Sequence, residues 1–497
     1  MIDFNINWFQ FANLISPWGV PLAAGLLILL ICPFLKNHHR YAFVISLAGL
    51  FISLWLAIHN WVGAQETVVG SLLFDKISYF FVILFLIAAI LVILLSHHFL
   101  ETFGINRPEF YALILFCVFG MGCMAAGSDL MVIFLGLEIM SVSLYILAGF
   151  HRTNIFSIEA SLKYFLVGAF ASSFLLLGIA FVYGASGTTD FMILNQKGME
   201  LAAGDTRLYL MLGLGLIAVG LGFKVAAVPF HFWAPDVYEG SPLVVTAWMA
   251  TAVKAAGFAV ILRAVWALFQ WEPELFGKII WIAAVLTMSV GNISALLQRN
   301  LKRMLAYSSI AHAGYLLIPL VAFHEQSSAV ASSVGFYLLA YILMTIGAFA
   351  VLIALTTDKE EVQISDLTGL GYKKPFLGFA LTLFLISLAG IPPTIGFFGK
   401  YYLFLQAVHV GQIGLVVIAV INSVISVYYY LGPVVAMYFT KEALTAPKEK
   451  RAAWGMPQTV LAVIWIAFLC VALLGLFPSN ILSMIQQSAS TWLVAVK

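Results

Sequence analysis

Three lysines interrupt apolar stretches of this chain that are long enough to cross a membrane as helices. Lys224 lies in GLGFKVAAVPF, Lys254 in ATAVKAAGF and Lys400 in GIPPTIGFFGKYY. A charged side chain at the centre of a bilayer costs roughly 2.5 to 3.5 kcal/mol on insertion scales, so a chain that keeps several of them is using them. These residues favour movement of charge through a membrane as the function.

Further ionisable residues surround the lysines. Glu138 lies in LGLEIMS, Lys163 in ASLKYF, and His231 just after Pro229. A carboxylate near a lysine stabilises both charges, and burial disfavours the charged form of a lysine, so such groups can take up and release protons. The predicted proton path consists of Glu138, Lys163, Lys224, His231, Lys254 and Lys400, with His312 as a further candidate.

Each candidate also has a structural interpretation. A lysine near a helix end can snorkel to the membrane surface, which suits Lys163, or form a static ion pair. Arg263 stays charged at every relevant pH and is interpreted as a structural anchor near a helix end. A lone membrane histidine often serves packing, although its near-neutral pKa makes it a natural bridge between lysines. Both interpretations stay open for His231 and for His312 in YSSIAHAGY.

Two carboxylates follow Pro229 in the segment WAPDVYEGSP. Asp236 and Glu239 are expected either to cap a helix or to line an entrance to the path. Acidic residues are favourable in the first turn of a helix, so capping is the preferred interpretation.

Composition identifies a membrane protein. Of the 497 residues, 63% are hydrophobic and 9% are charged, whereas soluble globular proteins carry about 25% charged residues. The net charge of +2, spread over short loops, excludes nucleic acid as a partner. The four cysteines form no CxxC pair, so no iron–sulfur, zinc or disulfide site is expected. The sequence shows no P-loop, flavin or haem motif, so partners or an ion gradient must supply the energy.

Hydropathy and helix breakers predict an all-α polytopic membrane protein of about fourteen spans. The seventh and twelfth spans are unusually long and contain Pro229 and the pair Pro392 and Pro393, so both are expected to be broken helices. The predicted spans are 17–35, 41–62, 73–97, 109–126, 129–149, 157–184, 207–236, 242–267, 276–297, 301–323, 329–356, 374–407, 411–439 and 457–484.

The two broken spans are five spans apart, which indicates an internal duplication. Interrupted hydrophobic segments at corresponding positions are typical of transporters whose ion path follows the repeat interface. Units of five spans would face opposite ways in the membrane. The predicted divisions are 1–108 for helices 1–3, 109–267 for the first repeat, 268–440 for the second repeat, and 441–497 for a loop and helix 14.

The distribution of basic residues predicts the orientation. Fourteen Lys and Arg residues lie near the loops after odd-numbered spans and five lie on the opposite side, so both termini are expected outside the cytoplasm. The first group is Lys36, Arg40, Arg107, Arg152, Arg299, Lys302, Arg303, Lys359, Lys373, Lys374, Lys441, Lys448, Lys450 and Arg451, and the second is Lys76, Lys197, Arg207, Lys278 and Lys497.

These motifs resemble those of the antiporter-like membrane subunits of proton-pumping NADH:quinone oxidoreductase, respiratory complex I, a family related to multisubunit cation/proton antiporters. The resemblance covers essentially the whole chain and is strongest in GLGFKVAAVPFHFWAPDVYEGSP. That ending, with LKRMLAYSSIAHAGY and SLAGIPPTIGFFGKYY, is most similar to the subunit N branch.

The resemblance implies fourteen core helices in two inverted five-helix units with broken helices seven and twelve. It also implies a role for each matched position. The helix-five glutamate falls on Glu138 and the helix-six polar residue on Lys163. The helix-seven lysine falls on Lys224 and the bridging histidine on His231. The helix-eight connecting lysine falls on Lys254 and the helix-twelve terminal residue on Lys400.

The function implied by the resemblance is proton translocation as a non-redox subunit of the translocase. The chain itself is expected to bind no cofactor or metal, while NADH, FMN, iron–sulfur clusters and quinone act in partner subunits. The expected partners are antiporter-like and small membrane subunits of complex I and the lipid bilayer, in a bacterial plasma membrane. An alternative is a subunit of a multisubunit sodium/proton antiporter. A purely structural scaffold conflicts with the insertion cost of the lysines.

Overall fold

The computed structural model describes residues 8–64, 66–356, 362–440 and 457–491, most of them helical. Within these residues, twelve helical segments are long and apolar enough to cross a membrane, and one of them, Leu301–Leu355, spans 55 residues. The prediction of an all-α, multi-pass membrane protein is confirmed.

The first eleven helices and one small hairpin occupy the chain up to residue 267. The hairpin pairs β1 (Thr67–Val69) with β2 (Leu72–Phe74) in antiparallel fashion. The helices are α1 (Trp8–Ile31), α2 (His38–Gly63), α3 (Lys76–Thr102), α4 (Pro108–Ala126), α5 (Leu130–Ala148), α6 (Ile155–Ser186), α7 (Phe191–Ala203), α8 (Arg207–Lys224), α9 (Ala234–Gly240), α10 (Leu243–Trp248) and α11 (Lys254–Ala267).

The remaining described chain holds nine helices. They are α12 (Pro273–Leu296), α13 (Leu301–Leu317), α14 (Phe323–Leu355), α15 (Leu370–Lys373), α16 (Pro375–Ala389), α17 (Ile395–His409), α18 (Ile413–Tyr438), α19 (Gln458–Leu476) and α20 (Pro478–Thr491). Short 3₁₀ turns lie at Cys32–Phe34, Phe269–Trp271, Ile318–Ala322 and Ile364–Leu367.

Helical structure stops at both proline positions. The chain between α8 and α9, residues 225–233, is non-helical and includes Ala226 at a φ of 58°. Between α16 and α17, Gly390 adopts the left-handed conformation at a φ of 84°, which glycine reaches without steric cost. Proline lacks the N–H that continues a helix, so the backbone carbonyl four residues earlier is left free.

A wide turn separates α10 from α11. Residues Met249–Val253 form a π-helix directly before Lys254. Such turns are rare and frequently lie at functional sites. The combined segment Leu243–Ala267 is buried throughout, whereas one third of the residues are buried in the α6 and α12 segments. The central position in the bundle therefore belongs to the segment that carries Lys254.

Arg263 anchors this central segment near its C-terminal end. Its guanidinium donates to both carboxylate oxygens of Asp75, at 3.1 and 3.2 Å, and to the hydroxyl of Ser78 at 2.7 Å. Its Nε donates to the backbone oxygen of Ala125 at 2.7 Å. These contacts join α11 to α3, its preceding loop and α4, and they agree with the interpretation of Arg263 as a structural anchor.

Gly213 and Gly215 offer a matched test of helix packing, because both lie on α8 and only Gly213 faces another helix. A Cβ at Gly213 would lie 2.9 Å from the backbone oxygen of Gly178 on α6, whereas a Cβ at Gly215 meets nothing within 4 Å. We expect Gly213→Ala to lower the free energy of unfolding by about 1–3 kcal/mol and Gly215→Ala to be neutral or slightly stabilising. Thermal unfolding of the purified protein measures both, and equal melting temperatures would contradict the packing argument.

Candidate functional site

All three membrane lysines are buried, with exposed fractions of 6% for Lys224, 2% for Lys254 and 4% for Lys400. No ion pair within 4.0 Å joins any of them to a carboxylate among the described residues. Hydroxyl and carbonyl oxygens surround them instead. A buried ammonium held only by neutral groups is costly to keep charged, so this environment suits a group that exchanges its proton.

Lys224 is the last residue of α8. Its Nζ donates to the hydroxyl of Ser141 on α5 at 2.9 Å and to the hydroxyl of Tyr164 on α6 at 3.4 Å. The end of the helix therefore places this ammonium between α5 and α6.

Glu138 is close to Lys224 but does not pair with it directly. Its carboxylate is half-buried and accepts a hydrogen bond of 2.5 Å from Ser172. Ser172, Ser141 and Lys224 line one small cavity of about 10 Å³, which is roughly the space needed for one water molecule. Ser172 thus connects the Glu138 carboxylate to the cavity that Lys224 lines.

Lys254 points at α13. Its Nζ donates to both the hydroxyl and the backbone oxygen of Ser309. The ammonium also lies 5.9 Å from the centre of the Tyr341 ring on α14. Cation–π contacts of this length are attractive, so Tyr341 forms part of the environment of Lys254.

His312 lies one helical turn beyond Ser309 and is 1% exposed. Its Nδ1 bonds the hydroxyl of Tyr337, and its Nε2 bonds the hydroxyl of Tyr430 at 2.9 Å. Its ring centre lies 4.9 Å from that of Tyr341, so Tyr341 contacts both His312 and Lys254. A neutral imidazole donates at one nitrogen and accepts at the other, which allows it to pass a proton between its two neighbours.

Lys400 lies in α17, after its helix break. Its Nζ donates to the backbone oxygen of Ala389 at 2.8 Å and to the hydroxyl of Ser423 at 3.0 Å. The ammonium also lies 4.8 Å from the centre of the Tyr315 ring.

One face of α13 contacts both Lys254 and Lys400. Ser309, His312 and Tyr315 follow at intervals of three residues, which places them along one side of a helix. Ser309 contacts Lys254 and Tyr315 contacts Lys400. The line from Lys254 to Lys400 therefore runs along α13, and the motif YSSIAHAGY encodes it.

A buried amide cluster extends this line and was not predicted. The side-chain nitrogen of Asn292 donates to the hydroxyl of Tyr315 at 3.0 Å and to the side-chain oxygen of Asn422 at 3.2 Å. Tyr429 donates to the side-chain oxygen of Asn292 at 2.9 Å. Two asparagines inside apolar helices were the available signal, because buried polar side chains in a membrane need partners.

His231 lies apart from these contacts. It is half-buried in the non-helical stretch 225–233, and its Nδ1 is buried without a hydrogen-bond partner in the described structure. The structure places His312, rather than His231, beside the partners of Lys254 and Lys400.

Lys163 belongs to a separate ion-pair cluster. It pairs with Asp236, which also pairs with Arg303 at 3.1 Å, and Arg303 pairs in turn with Glu239. These four residues line a cavity of about 250 Å³ at the ends of α6, α9 and α13. The structure shows no side-chain N-cap hydrogen bond at α9. Asp236 does lie in the first turn of α9, as the capping interpretation expected. Both carboxylates also line the cavity, as the entrance interpretation expected, so both interpretations remain predictions.

Comparisons with known proteins agree on one family. Residues 127–426 match the family model described as "NADH:quinone oxidoreductase/Mrp antiporter, TM". NADH-quinone oxidoreductase subunit N of Trichlorobacter lovleyi is 43% identical over 493 residues, covering 98% of this chain and 99% of that protein. A chain of respiratory complex I from Thermus thermophilus with bound aureothin is 37% identical, with a TM-score of 0.78 and coverage of 94% and 98%. A chain of the Mrp complex from Dietzia sp. DQ12-45-1b shares the fold, at 20% identity, a TM-score of 0.82 and coverage of 98% and 99%.

Tyr430→Phe tests the polar support of His312. The change removes the hydroxyl that bonds His312 and Ser308 and leaves buried polar atoms unpaired, at a cost of about 1–3 kcal/mol. Tyr428→Phe is the control, because Tyr428 lies on the same helix with its side chain 77% exposed. We expect a lower melting temperature for Tyr430→Phe alone, and no difference between the variants would contradict the assigned contacts.

Proposed function

The chain belongs to the membrane-subunit family shared by NADH:quinone oxidoreductases and Mrp antiporters, and on this basis we propose that it is the proton-translocating subunit N of an NADH:quinone oxidoreductase. Full-length similarity to a subunit of that name and to a chain of complex I supports the assignment. The structural observation that carries the proton path is the face of α13, where Ser309 and Tyr315 contact Lys254 and Lys400 and His312 lies between them.

We propose fourteen crossings. The 55-residue segment Leu301–Leu355 counts as two, since α13 and α14 meet at a 3₁₀ turn, and the α16–α17 pair adds one to the twelve candidate segments. Span seven is then α8 with α9, and span twelve is α16 with α17. Membrane spans 4–8 (residues 109–267) form the first repeat, and spans 9–13 (residues 268–440) form the second. Residues 1–108 precede the repeats, and residues 441–497 follow them. Both termini lie outside the cytoplasm of a bacterial plasma membrane, as the basic loops indicate.

The proton would move laterally through the middle of the membrane. It enters from the cytoplasmic side near Lys163, is held at Lys224, passes to Lys254 and His312, and leaves from Lys400. The Glu138 carboxylate, linked to the Lys224 cavity by Ser172, favours the charged form of Lys224 and so regulates when that proton is released. His231 serves at most as a local partner in the non-helical stretch.

The chain itself supplies no redox chemistry in this proposal. NADH, FMN, iron–sulfur clusters and quinone act in partner subunits, and no cofactor or metal binds here. The partners are other membrane subunits of the complex, both antiporter-like and small, together with the surrounding lipid. Redox energy reaches this chain through those contacts, and its own residues only bind and move protons.

Lys224→Ala and Glu138→Ala test the path directly. We expect each change to reduce NADH-driven proton pumping and coupled quinone reduction severalfold in an assembled complex, because the proton loses a holding site or its control. Lys278→Ala is the control, since Lys278 lies exposed near the start of α12. Membrane vesicles give both rates, and a native gel reports assembly.

Three results would count against this assignment. Normal rates in Lys224→Ala would remove that residue from the path, and failed assembly would give it a structural role. Sodium transport without NADH-linked activity in the unmodified protein would instead identify a subunit of a multisubunit sodium/proton antiporter.

A further inference from the structure

Side chains from the start of α13 hold helix α9 along its length. Arg303 pairs with Asp236 at 3.1 Å and also with Glu239. The side-chain nitrogen of Asn300 donates to Glu239 at 3.3 Å, and Lys302 donates to the backbone oxygen that follows α9. Ion pairs and hydrogen bonds thus connect the proposed second repeat to a seven-residue helix of the first.

The residue before α9 packs beside Lys224. Trp233 directly precedes α9, and its ring stacks on Tyr164 with centres 4.7 Å apart and planes at 10°. Tyr164 accepts a hydrogen bond from Lys224, and the indole nitrogen of Trp233 donates to the backbone oxygen of Phe223 at 3.2 Å. Both rings are at most 2% exposed. The aromatic pair therefore contacts Lys224 through the Tyr164 hydroxyl.

Neighbouring residues of α6 belong to the two groups. Lys163 lines the cavity, and Tyr164 belongs to the aromatic pair. Trp233 and Asp236 are three residues apart, about 4.5 Å along a helix at 1.5 Å per residue. Non-helical chain precedes α9 and a bend follows it. A shift of Asp236 is therefore transmitted to the indole of Trp233.

We propose that Arg303 is a positioning residue that controls access from the cytoplasmic cavity to Lys224. With Arg303 bound to Asp236 and Glu239, Trp233 stays on Tyr164 and the passage is closed. Asp236 is shared by Lys163 and Arg303, so release of Arg303 leaves the carboxylate paired with Lys163. Two arrangements with similar pairing form a switchable element. When the ion pairs of Arg303 break, α9 moves, the rings of Trp233 and Tyr164 separate, and water reaches Lys224.

This inference deepens the proposed function, since it takes Lys224 as the group that the proton reaches, but access can be measured without proton transport. Leu137→Cys places a thiol in the wall of the small cavity beside Lys224. In the assembled complex, with the cytoplasmic face outward, a membrane-impermeant methanethiosulfonate reagent reports access through its labelling rate. The same variants without Leu137→Cys correct for the four native cysteines.

We expect Arg303→Gln to raise the labelling rate about tenfold. Without the ion pairs of Arg303, the closed arrangement of α9 is no longer favoured, so the open arrangement is populated more often. Arg303→Lys should restore most of the slow rate, since it keeps the charge. Glu159→Gln is the matched control, because Glu159 lines the same cavity, is exposed, and forms no ion pair in the described structure. It should label like the unmodified protein.

Equal labelling rates with and without Arg303→Gln would overturn the proposal. If Arg303→Gln fails to assemble, Glu239→Gln removes one of the two pairs more gently and should give an intermediate rate, whereas an unchanged rate would equally overturn it. The access role of Arg303 and the proton-carrying role of Lys224 can be tested separately. Fast labelling in Arg303→Gln together with normal pumping in Lys224→Ala would keep the access role and reject Lys224 as a proton carrier, and slow labelling with lost pumping would do the reverse.

Discussion

The structure depends on how a buried ammonium is solvated without a carboxylate. Hydroxyls and backbone carbonyls must provide that solvation, and a regular helix uses up its carbonyls internally. Lys400 shows the solution. The carbonyl of Ala389 would bond the N–H four residues later in a continuous helix, but that residue is Pro393, which has none. The freed carbonyl accepts from Lys400 at 2.8 Å, so the break in the helix and the lysine form one unit.

A single helix connects the two halves of the molecule. The first turn of α13 and its N-cap hold α9 through Arg303 and Asn300, and the middle of α13 contacts Lys254 and Lys400 through Ser309 and Tyr315. A rigid element with contacts at both places can transmit a local rearrangement over its length, which is the physical requirement for coupling between distant groups. The lysines themselves need no direct contact with each other.

Hydropathy predicted a multi-pass helical membrane protein, and the position of the three lysines inside apolar stretches predicted that they are buried. Both predictions follow from the composition of single helices. The partners of the lysines were out of reach. Tyr337, Tyr341 and Tyr430 lie on α14 and α18, and an aromatic residue in an apolar helix is indistinguishable in sequence from ordinary packing. The cluster of Asp236 with Arg303 joins residues 67 positions apart, and only tertiary structure shows such a pair. Likewise, nothing in the local pattern indicated α7 or the β1–β2 hairpin.

The wide turn at Met249–Val253 sets the direction in which Lys254 points. One surplus residue in a helix rotates everything beyond it by about 100°, given 3.6 residues per turn. The side of the bundle toward which Lys254 points is therefore fixed by backbone winding and not by the residue spacing of an ideal helix. A helical wheel drawn through 243–267 at constant pitch would project this ammonium in the wrong direction, and an insertion or deletion there would redirect it without altering a single polar side chain.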